Sequence, residues 1–178
     1  MHIFDGEEPP GNASKNAAYI NEREEIVLMI RSFTKNDFDV YNHMSLEFYN
    51  SKATDHQVPE SHFRSTFDEI VSGSPLARGW LLFSDSQAKT TAGYMLASLT
   101  WSNEFGGRVA WLEEIHIQTE FRGQGLGRKA ITSALEELKK EGALGFRLEV
   151  APANSEVAEL YRRMGFSPVP YDQWWKTA

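Results

Sequence analysis

The run FRGQGLGRK, residues 121–129, combines residue types that bind phosphate. Its three alternating glycines are Gly123, Gly125 and Gly127. Glycine allows a tight backbone turn that brings several N–H groups to one side, and a helix that begins there adds its positive end. Three basic side chains flank the glycines: Arg122, Arg128 and Lys129. The run therefore predicts a site for a phosphate or pyrophosphate group.

Two common phosphate-binding motifs do not fit this run. The dinucleotide fingerprint G-x-G-x-x-G needs Gly or Ala at position 128, which is Arg. The P-loop ends in Gly-Lys-Ser/Thr, whereas this run ends in Gly127-Arg128-Lys129. A connector without a ligand does not explain three glycines in five residues beside arginines, so a different phosphate ligand is expected.

The patterns around this run predict strands and helices in the order βααβββαβαβ. The predicted strands are 26–33, 79–83, 91–101, 108–118, 145–150 and a tail strand up to Trp174 and Trp175. Apolar stripes predict two helices before Gly73, one after Gly127 and one capped by Asn154 or Ser155. Such an order indicates one mixed sheet with helices on its faces.

The start of the first helix has a capping pattern. Thr34 is predicted to be the N-cap, and Asp37, three residues on, to reach back to the free amides. Residues 1–25 are polar and predict an N-terminal extension, so a single domain is expected over residues 26–178.

Three spaced segments carry a family resemblance. They are Arg122-x-x-Gly125-x-Gly127 between a strand and a helix, LEEIHI at 112–117, and EVAPANSEVAELYRRMGF at 149–166. Together they resemble the acetyl-CoA motif, the fourth strand and the following strand–helix unit of the GNAT family of N-acetyltransferases. The resemblance implies the acyl-CoA N-acyltransferase fold, an α/β (α+β) class with a single mixed, mostly antiparallel sheet flanked by helices. It also implies acetyl-CoA as cosubstrate and no metal.

The same resemblance implies how acetyl-CoA is held. Backbone groups of Ile115 and Ile117 are expected to pair with the pantetheine arm as if it were another strand. Asn154 is expected to contact the pantetheine, or the last helix where it approaches the pantetheine. The pyrophosphate is expected at the turn, whose residues are Arg122, Gly123, Gln124, Gly125, Leu126, Gly127 and Arg128.

Two adjacent glutamates, Glu113 and Glu114, are the candidates for binding and deprotonating an acceptor amine. An alkylamine with a pKa near about 10.4 is almost entirely protonated at pH 7, and a carboxylate can attract the ammonium and take its proton. On a regular strand the two side chains point to opposite faces. Glu113 would then lie among Trp111, Ile115 and Ile117, where the pKa of a carboxyl group tends to rise. A bulge would reverse this assignment, so both remain candidates.

Tyr161 lies on a helical stripe between Val157 and Met164, a pattern typical of core packing. The GNAT resemblance implies a second role, in which its phenol stabilises or protonates the departing thiolate of CoA. His116 lies on a half-buried strand, which is more typical of a structural histidine than of a base. Two further histidines lack the spacing of a metal site: His56 and His62.

The composition is that of an acidic globular protein. The chain has 178 residues, 41% hydrophobic, with no cysteine and a net charge of −7. A chain without cysteine forms no disulfide and has no thiol nucleophile. No apolar stretch approaches the roughly 20 residues of a membrane span, and the first residues do not resemble a secretory signal, so a cytoplasmic location without membrane binding is expected.

The charge also bears on partners. A negative field repels nucleic acid and attracts cations, which favours a small cationic amine as acceptor, acetylated by direct attack in a ternary complex. Two alternatives stay open: a protein or peptide amino group as acceptor, and a CoA-binding sensor module without turnover. The sequence is also compatible with a homodimer.

Overall fold

The computed structural model of the chain describes residues 28–54, 56–174 and 176–177. The predicted extension lies outside these residues, as do Ile26, Val27 and Trp175. In chain order the elements are β1 (Met29–Ser32), α1 (Phe38–Tyr49), α2 (Glu60–Val71), β2 (Ala77–Phe83), β3 (Thr91–Ser102), β4 (Gly107–Ile117), a 3₁₀ turn (Thr119–Phe121), α3 (Leu126–Lys140), β5 (Ala143–Leu148), a 3₁₀ segment (Pro152–Val157) and α4 (Ala158–Arg163). Among the described helices, none has both the length and the apolar character that crossing a membrane requires.

The strands form one sheet in their chain order, β1-β2-β3-β4-β5. The first four are joined antiparallel, whereas β5 runs parallel to β4. Parallel neighbours need a long crossover, which α3 provides. The predicted mixed, mostly antiparallel sheet flanked by helices is therefore confirmed.

Helices cover both faces of the sheet, and the two faces differ in chemistry. On the α1–α2 face, Tyr41 and Phe67 of the helices pack with Tyr94 of β3 in a largely aromatic core. On the α3 face, Ile131 packs in a mostly aliphatic core around Trp80. Each face therefore has its own buried cluster, and residues that alternate along β3, such as Tyr94 and Met95, contribute to different clusters.

The first helix begins one turn later than the capping pattern predicts. It starts at Phe38, and the carboxylate of Asp37 accepts hydrogen bonds from the Thr34 amide at 2.5 Å and the Thr34 hydroxyl at 2.7 Å. The Arg31 guanidinium donates to the same carboxylate at 2.8 and 3.0 Å. Burial opposes ionisation, but these donors outweigh it and lower the pKa of Asp37. The interaction of Asp37 with Thr34 was predicted correctly, but it closes the turn that precedes the helix.

The predicted tail strand is wrong for the described part of the tail. Residues 167–174 belong to no strand, and Val169, Tyr171 and Trp174 are exposed. Pro168 and Pro170 lack the N–H donor that a sheet ladder requires, so this segment is poorly suited to pair with β5.

Candidate active site

The strands β4 and β5, at one edge of the sheet, separate partway along β4. Their pairing ends at Leu112 and Leu148, although β4 continues to Ile117. The Gln118 amide donates to Ala92 of the β3 side at 2.9 Å. Because backbone groups alternate along a strand, those of Ile115 and Ile117 face away from β3, toward the side that β5 has left. This open edge can accept an extended ligand as an additional strand.

A cleft lies where the two strands separate. Its lining includes Glu113 and Ile115 of β4, Leu148 at the end of β5, and Asn154 and Tyr161 of the segments that follow. Residues of the α1–α2 side, Phe48 and Ala53, complete one wall. The structure thus brings together four residues that the sequence analysis singled out: Glu113, Ile115, Asn154 and Tyr161.

The glycine turn lies between β4 and α3. Gly123 and Gly125 have φ values of +73° and +77°, a conformation that side-chain-bearing residues rarely adopt. No side chain caps α3, and its first helical hydrogen bond runs from the Lys129 amide to the Gly125 carbonyl at 3.1 Å. A Cβ atom built on either glycine would meet nothing within 4 Å. The turn is therefore open, and the amides before Lys129 are placed to bind an anion.

Two side chains connect this turn to the end of β4 and to the 3₁₀ turn that follows it. Arg122 Nε donates to the Ile117 carbonyl at 2.8 Å, and Gln124 Nε2 donates to the Glu120 carbonyl at 2.8 Å. The carbonyl of Ile117 is thus occupied by Arg122, and the amide of Ile117 is the group that this residue offers to an incoming ligand. Arg128, in the first turn of α3, is exposed and adds positive charge beside the glycines. The residues present fit a pyrophosphate.

A β-bulge determines the directions of the two glutamates. In the register of β3 and β4, Glu114 pairs with Leu96 and Leu112 pairs with Ala97, so Glu113 is an extra residue on β4. The Ser98 hydroxyl donates to Glu113, and Glu114 accepts from Tyr94, two residues that share one face of β3. Both carboxylates therefore lie on the α1–α2 face, and the expectation that they point to opposite faces is wrong.

The bulge also exchanges the environments of the two glutamates. Glu113 is exposed rather than enclosed by apolar groups, which corrects the expectation for a regular strand. Glu114 is the more buried of the two, and burial raises its pKa, aided by repulsion from Glu113. Hydrogen bonds from Tyr94 at 2.5 Å and Tyr49 at 2.7 Å oppose that rise. The sequence analysis did not identify these two tyrosines.

The remaining candidates have distinct environments. Burial raises the pKa of Tyr161, so its phenol remains a proton donor at neutral pH. His116 is 4% exposed, its Nε2 lies 3.0 Å from a carboxylate oxygen of Glu47, and burial lowers its pKa. These contacts are those of a structural histidine within the aromatic core. Across the described residues, no three His, Asp or Glu side chains come together as a metal site.

Comparison with known proteins agrees with this geometry. The family model described as "Acetyltransferase (GNAT) family" matches residues 38–166. A thialysine N-epsilon-acetyltransferase of Mus musculus is 32% identical over 91 residues, which are 51% of this chain and 53% of that protein. An uncharacterized N-acetyltransferase of Methanocaldococcus jannaschii is 32% identical over 84 residues, 47% of this chain and 37% of that protein. The chain spans about half the length, or less, of these curated relatives.

The fold also resembles solved structures. The aminoglycoside N-acetyltransferase AAC(6')-Iy, in complex with the bisubstrate analog CoA-S-monomethyl-acetylneamine, superposes with a TM-score of 0.70. The match covers 85% of this chain and 99% of that chain at 15% sequence identity. At this identity the likeness concerns the fold alone.

Proposed function

Because the chain belongs to the acetyltransferase (GNAT) family, we propose that it transfers the acetyl group of acetyl-CoA to the amino group of a small cationic molecule. The observation that carries this proposal is the cleft in which Glu113 and Tyr161 lie beside the open edge of β4. The curated relatives and solved structures described above are named as acetyltransferases, one of them for thialysine and one for aminoglycosides. Both names denote substrates with amino groups, which supports an amine acceptor.

Acetyl-CoA would lie along the open edge with its pyrophosphate at the turn. The amide hydrogens of Ile115 and Ile117 would donate to the pantetheine arm, and Asn154, which lines the cleft, would contact it from the opposite side. The amides of residues 122–127 and the exposed charge of Arg128 would hold the pyrophosphate. This arrangement directs the thioester toward the part of the cleft that Tyr161 lines.

The transfer requires the acceptor nitrogen to lose two protons and the departing sulfur to gain one. Glu113 attracts the ammonium form of the acceptor and takes its first proton, directly or through a water molecule. The neutral nitrogen attacks the thioester carbonyl, so that an N–C bond forms and the C–S bond breaks. Tyr161 gives a hydrogen bond or its proton to the departing thiolate. The nitrogen then loses its second proton, which restores the proton of Tyr161, and Glu113 releases the first proton to solvent. The products are an acetylated amine, CoA and one proton.

Glu113 is a better partner for the amine than Glu114. Its side chain is exposed and lines the same cleft as Tyr161. Glu114, by contrast, is more buried, and a packed phenol donates to each of its two oxygens. A group that must bind and release a substrate needs access, which Glu113 has.

The test is an acceptor screen that follows thiol release from acetyl-CoA. Its panel contains polyamines, diamino acids, aminoglycosides, short peptides, and alcohols of matched size. We expect release with cationic amines and a rate that climbs with pH as the amine deprotonates. Turnover only with peptides would support a protein acceptor instead. Binding of acetyl-CoA without turnover on any member of the panel would support a sensor module and contradict the proposal.

A further inference from the structure

Glu114 lies at the centre of a cluster that the proposed reaction does not use directly. We define the Glu114 cluster as Tyr49, Tyr94 and Glu114. Tyr49 Oη donates to one carboxylate oxygen at 2.7 Å, and Tyr94 Oη donates to the other at 2.5 Å. The two phenols come from different elements: Tyr49 is the last residue of α1, and Tyr94 lies in the first half of β3. The carboxylate is thereby fixed by two independent supports.

Each phenol is held in place by its ring. Tyr94 is fully buried, and its ring packs edge-on against Tyr41 at 5.3 Å between centroids. Tyr49 is only partly buried and stacks on Phe63 of α2 at 5.4 Å. Since both rings are packed by aromatic neighbours, the hydroxyl groups have little freedom to leave Glu114.

The phenols can act on Glu114 only as donors. Burial and the nearby Glu114 charge raise the pKa of Tyr49 and of Tyr94, so both keep their protons at any physiological pH. A phenol has one proton to donate, and each is committed to this carboxylate. Hydrogen bonds to a charged acceptor stabilise the charged form, which here works against the cost of burying it. An ionised carboxylate also has about four lone-pair positions, so two donors do not exhaust it.

We propose that Tyr49 and Tyr94 are positioning residues that keep Glu114 charged beside Glu113. The buried charge of Glu114 then strengthens the binding of cationic acceptors. The inference rests on the proposed function for its acceptor, but the state of Glu114 can be measured without any turnover. Glu113 and Glu114 thus divide the work. Glu113 contacts the amine and affects the rate, whereas Glu114 acts through its field and affects acceptor affinity.

The titration of Glu114 is governed by the groups that surround it. These groups are Tyr41 and Tyr49 of α1, Tyr94 of β3, and Glu113 and His116 on its own strand, the last paired with Glu47 of α1. Removal of one donor phenol takes away support for the charged form, so Glu114 should gain its proton at a higher pH. Below that pH, affinity for a cationic acceptor should fall.

The first experiment measures Glu114 itself. Carboxyl carbon NMR of protein labelled at glutamate follows its titration, and Glu114→Gln assigns the signal. We expect Tyr49→Phe and Tyr94→Phe each to raise the midpoint by about one pH unit, the effect of losing one hydrogen bond to a charged group. Tyr41→Phe is the matched control and should shift the midpoint less, because Tyr41 is a buried phenol close to Glu114 that is not one of the two donors. Tyr49 is partly exposed, so Tyr49→Phe keeps the test open if Tyr94→Phe fails to fold.

The second experiment separates KM from kcat on the best amine of the acceptor screen. Glu114→Gln should raise the acceptor KM by about tenfold with a smaller change in kcat, as loss of one nearby charge predicts. In Tyr49→Phe the rise in KM on acidification should begin at a higher pH than in the wild type.

Three outcomes are decisive. A Glu114 midpoint that is unchanged in both phenylalanine variants overturns the inference, because the phenols then only fill space. An acceptor KM that Glu114→Gln leaves unchanged also overturns it, because the buried charge then has no effect on the acceptor. A shifted midpoint in a protein that acetylates no amine supports the positioning role and contradicts the proposed function instead.

Discussion

The glycine turn and the Glu114 cluster are built in opposite ways. The turn uses neighbours in the chain, residues 122–127, and backbone amides at an exposed helix start. The cluster uses side chains from α1, β3 and β4 that are up to 65 positions apart and partly or fully buried. The turn leaves its donors open for a ligand, whereas the cluster has already used its donors on Glu114.

This contrast teaches where specificity can reside in such a fold. A contiguous backbone turn recognises a feature that is common to many ligands, a phosphate at a helix start. Side chains gathered from several elements can differ from one protein to the next without disturbing the turn. We therefore expect changes at the turn to affect acetyl-CoA, and changes around Glu113 and Glu114 to affect the acceptor.

The largest effect is expected at the turn. Gly125→Glu should abolish acetyl-CoA binding, because it places a carboxylate where phosphate is expected and strains a residue at φ +77°. Thermal unfolding with and without acetyl-CoA measures this, since ligand at a hundred times Kd stabilises a protein by roughly 2.7 kcal/mol. Gly142→Glu is the matched control, because Gly142 follows the other end of α3 at φ +94°. Equal loss of binding in both variants would mean that strain alone explains the result.

A smaller effect on binding but a large one on rate is expected at Tyr161. Tyr161→Phe keeps the ring, which lies 6.1 Å from that of Phe166, so the fold and the Kd of CoA should barely change. Its kcat should fall by about 10²–10⁴-fold if proton transfer to the thiolate is fully coupled. Tyr171→Phe, at an exposed phenol in the tail, should change neither quantity. An unchanged kcat in Tyr161→Phe would mean that Tyr161 is only a core residue. A Kd for CoA that rises as much as kcat falls would mean that Tyr161 binds the cofactor instead of acting as an acid.

The smallest effect concerns α1, which carries Tyr49. Asp37→Asn should lower the free energy of unfolding by about 1.5–3 kcal/mol at pH 7, because the Arg31 guanidinium loses its charged partner. The folded pKa of Asp37 lies below its unfolded value, so this stability is present above the unfolded pKa, about 3.9. It is lost as pH falls through the folded pKa.

Urea unfolding at two pH values checks the Asp37 prediction. The difference in the free energy of unfolding between wild type and Asp37→Asn should be large at pH 7 and should disappear as the pH falls through the folded pKa of Asp37. A difference that stays constant with pH would assign the loss to packing rather than charge. Because Asp37 belongs neither to the glycine turn nor to the lining of the cleft, the Kd of acetyl-CoA should stay the same in the folded variant.

The sequence predicted the elements with local signals. Alternation and apolar stripes located the first five strands and the four helices, and Gly142 and Gly165 end helices with positive φ as glycines after a helix commonly do. The predicted tail strand is wrong over residues 167–174, where Pro168 and Pro170 lack the N–H donors of a sheet ladder. The predicted N-cap at Thr34 is wrong, because the Asp37 carboxylate binds Arg31 of β1 as well as Thr34, and this tertiary contact is contained in no local pattern.

The candidate site shows the same difference between local signals and tertiary contacts. The turn at residues 122–127 could be identified because its glycines and basic residues follow one another in the sequence. The directions of Glu113 and Glu114 could not, because they depend on a bulge that only the register with Leu96 and Ala97 reveals. Tyr49 and Tyr94 could not be identified either, because their hydroxyl groups reach Glu114 only when α1 and β3 pack beside β4.

The central claim, that Glu113 serves the acceptor amine, is tested most directly by the kcat of Glu113→Gln on the best amine of the acceptor screen. Glu136→Gln, an exposed change on α3, is the control. We predict a fall of about 10²-fold or more in Glu113→Gln, with an unchanged Kd for acetyl-CoA and no change in the control. A Glu113→Gln enzyme as fast as the wild type, or a best acceptor that is an alcohol, would contradict the account.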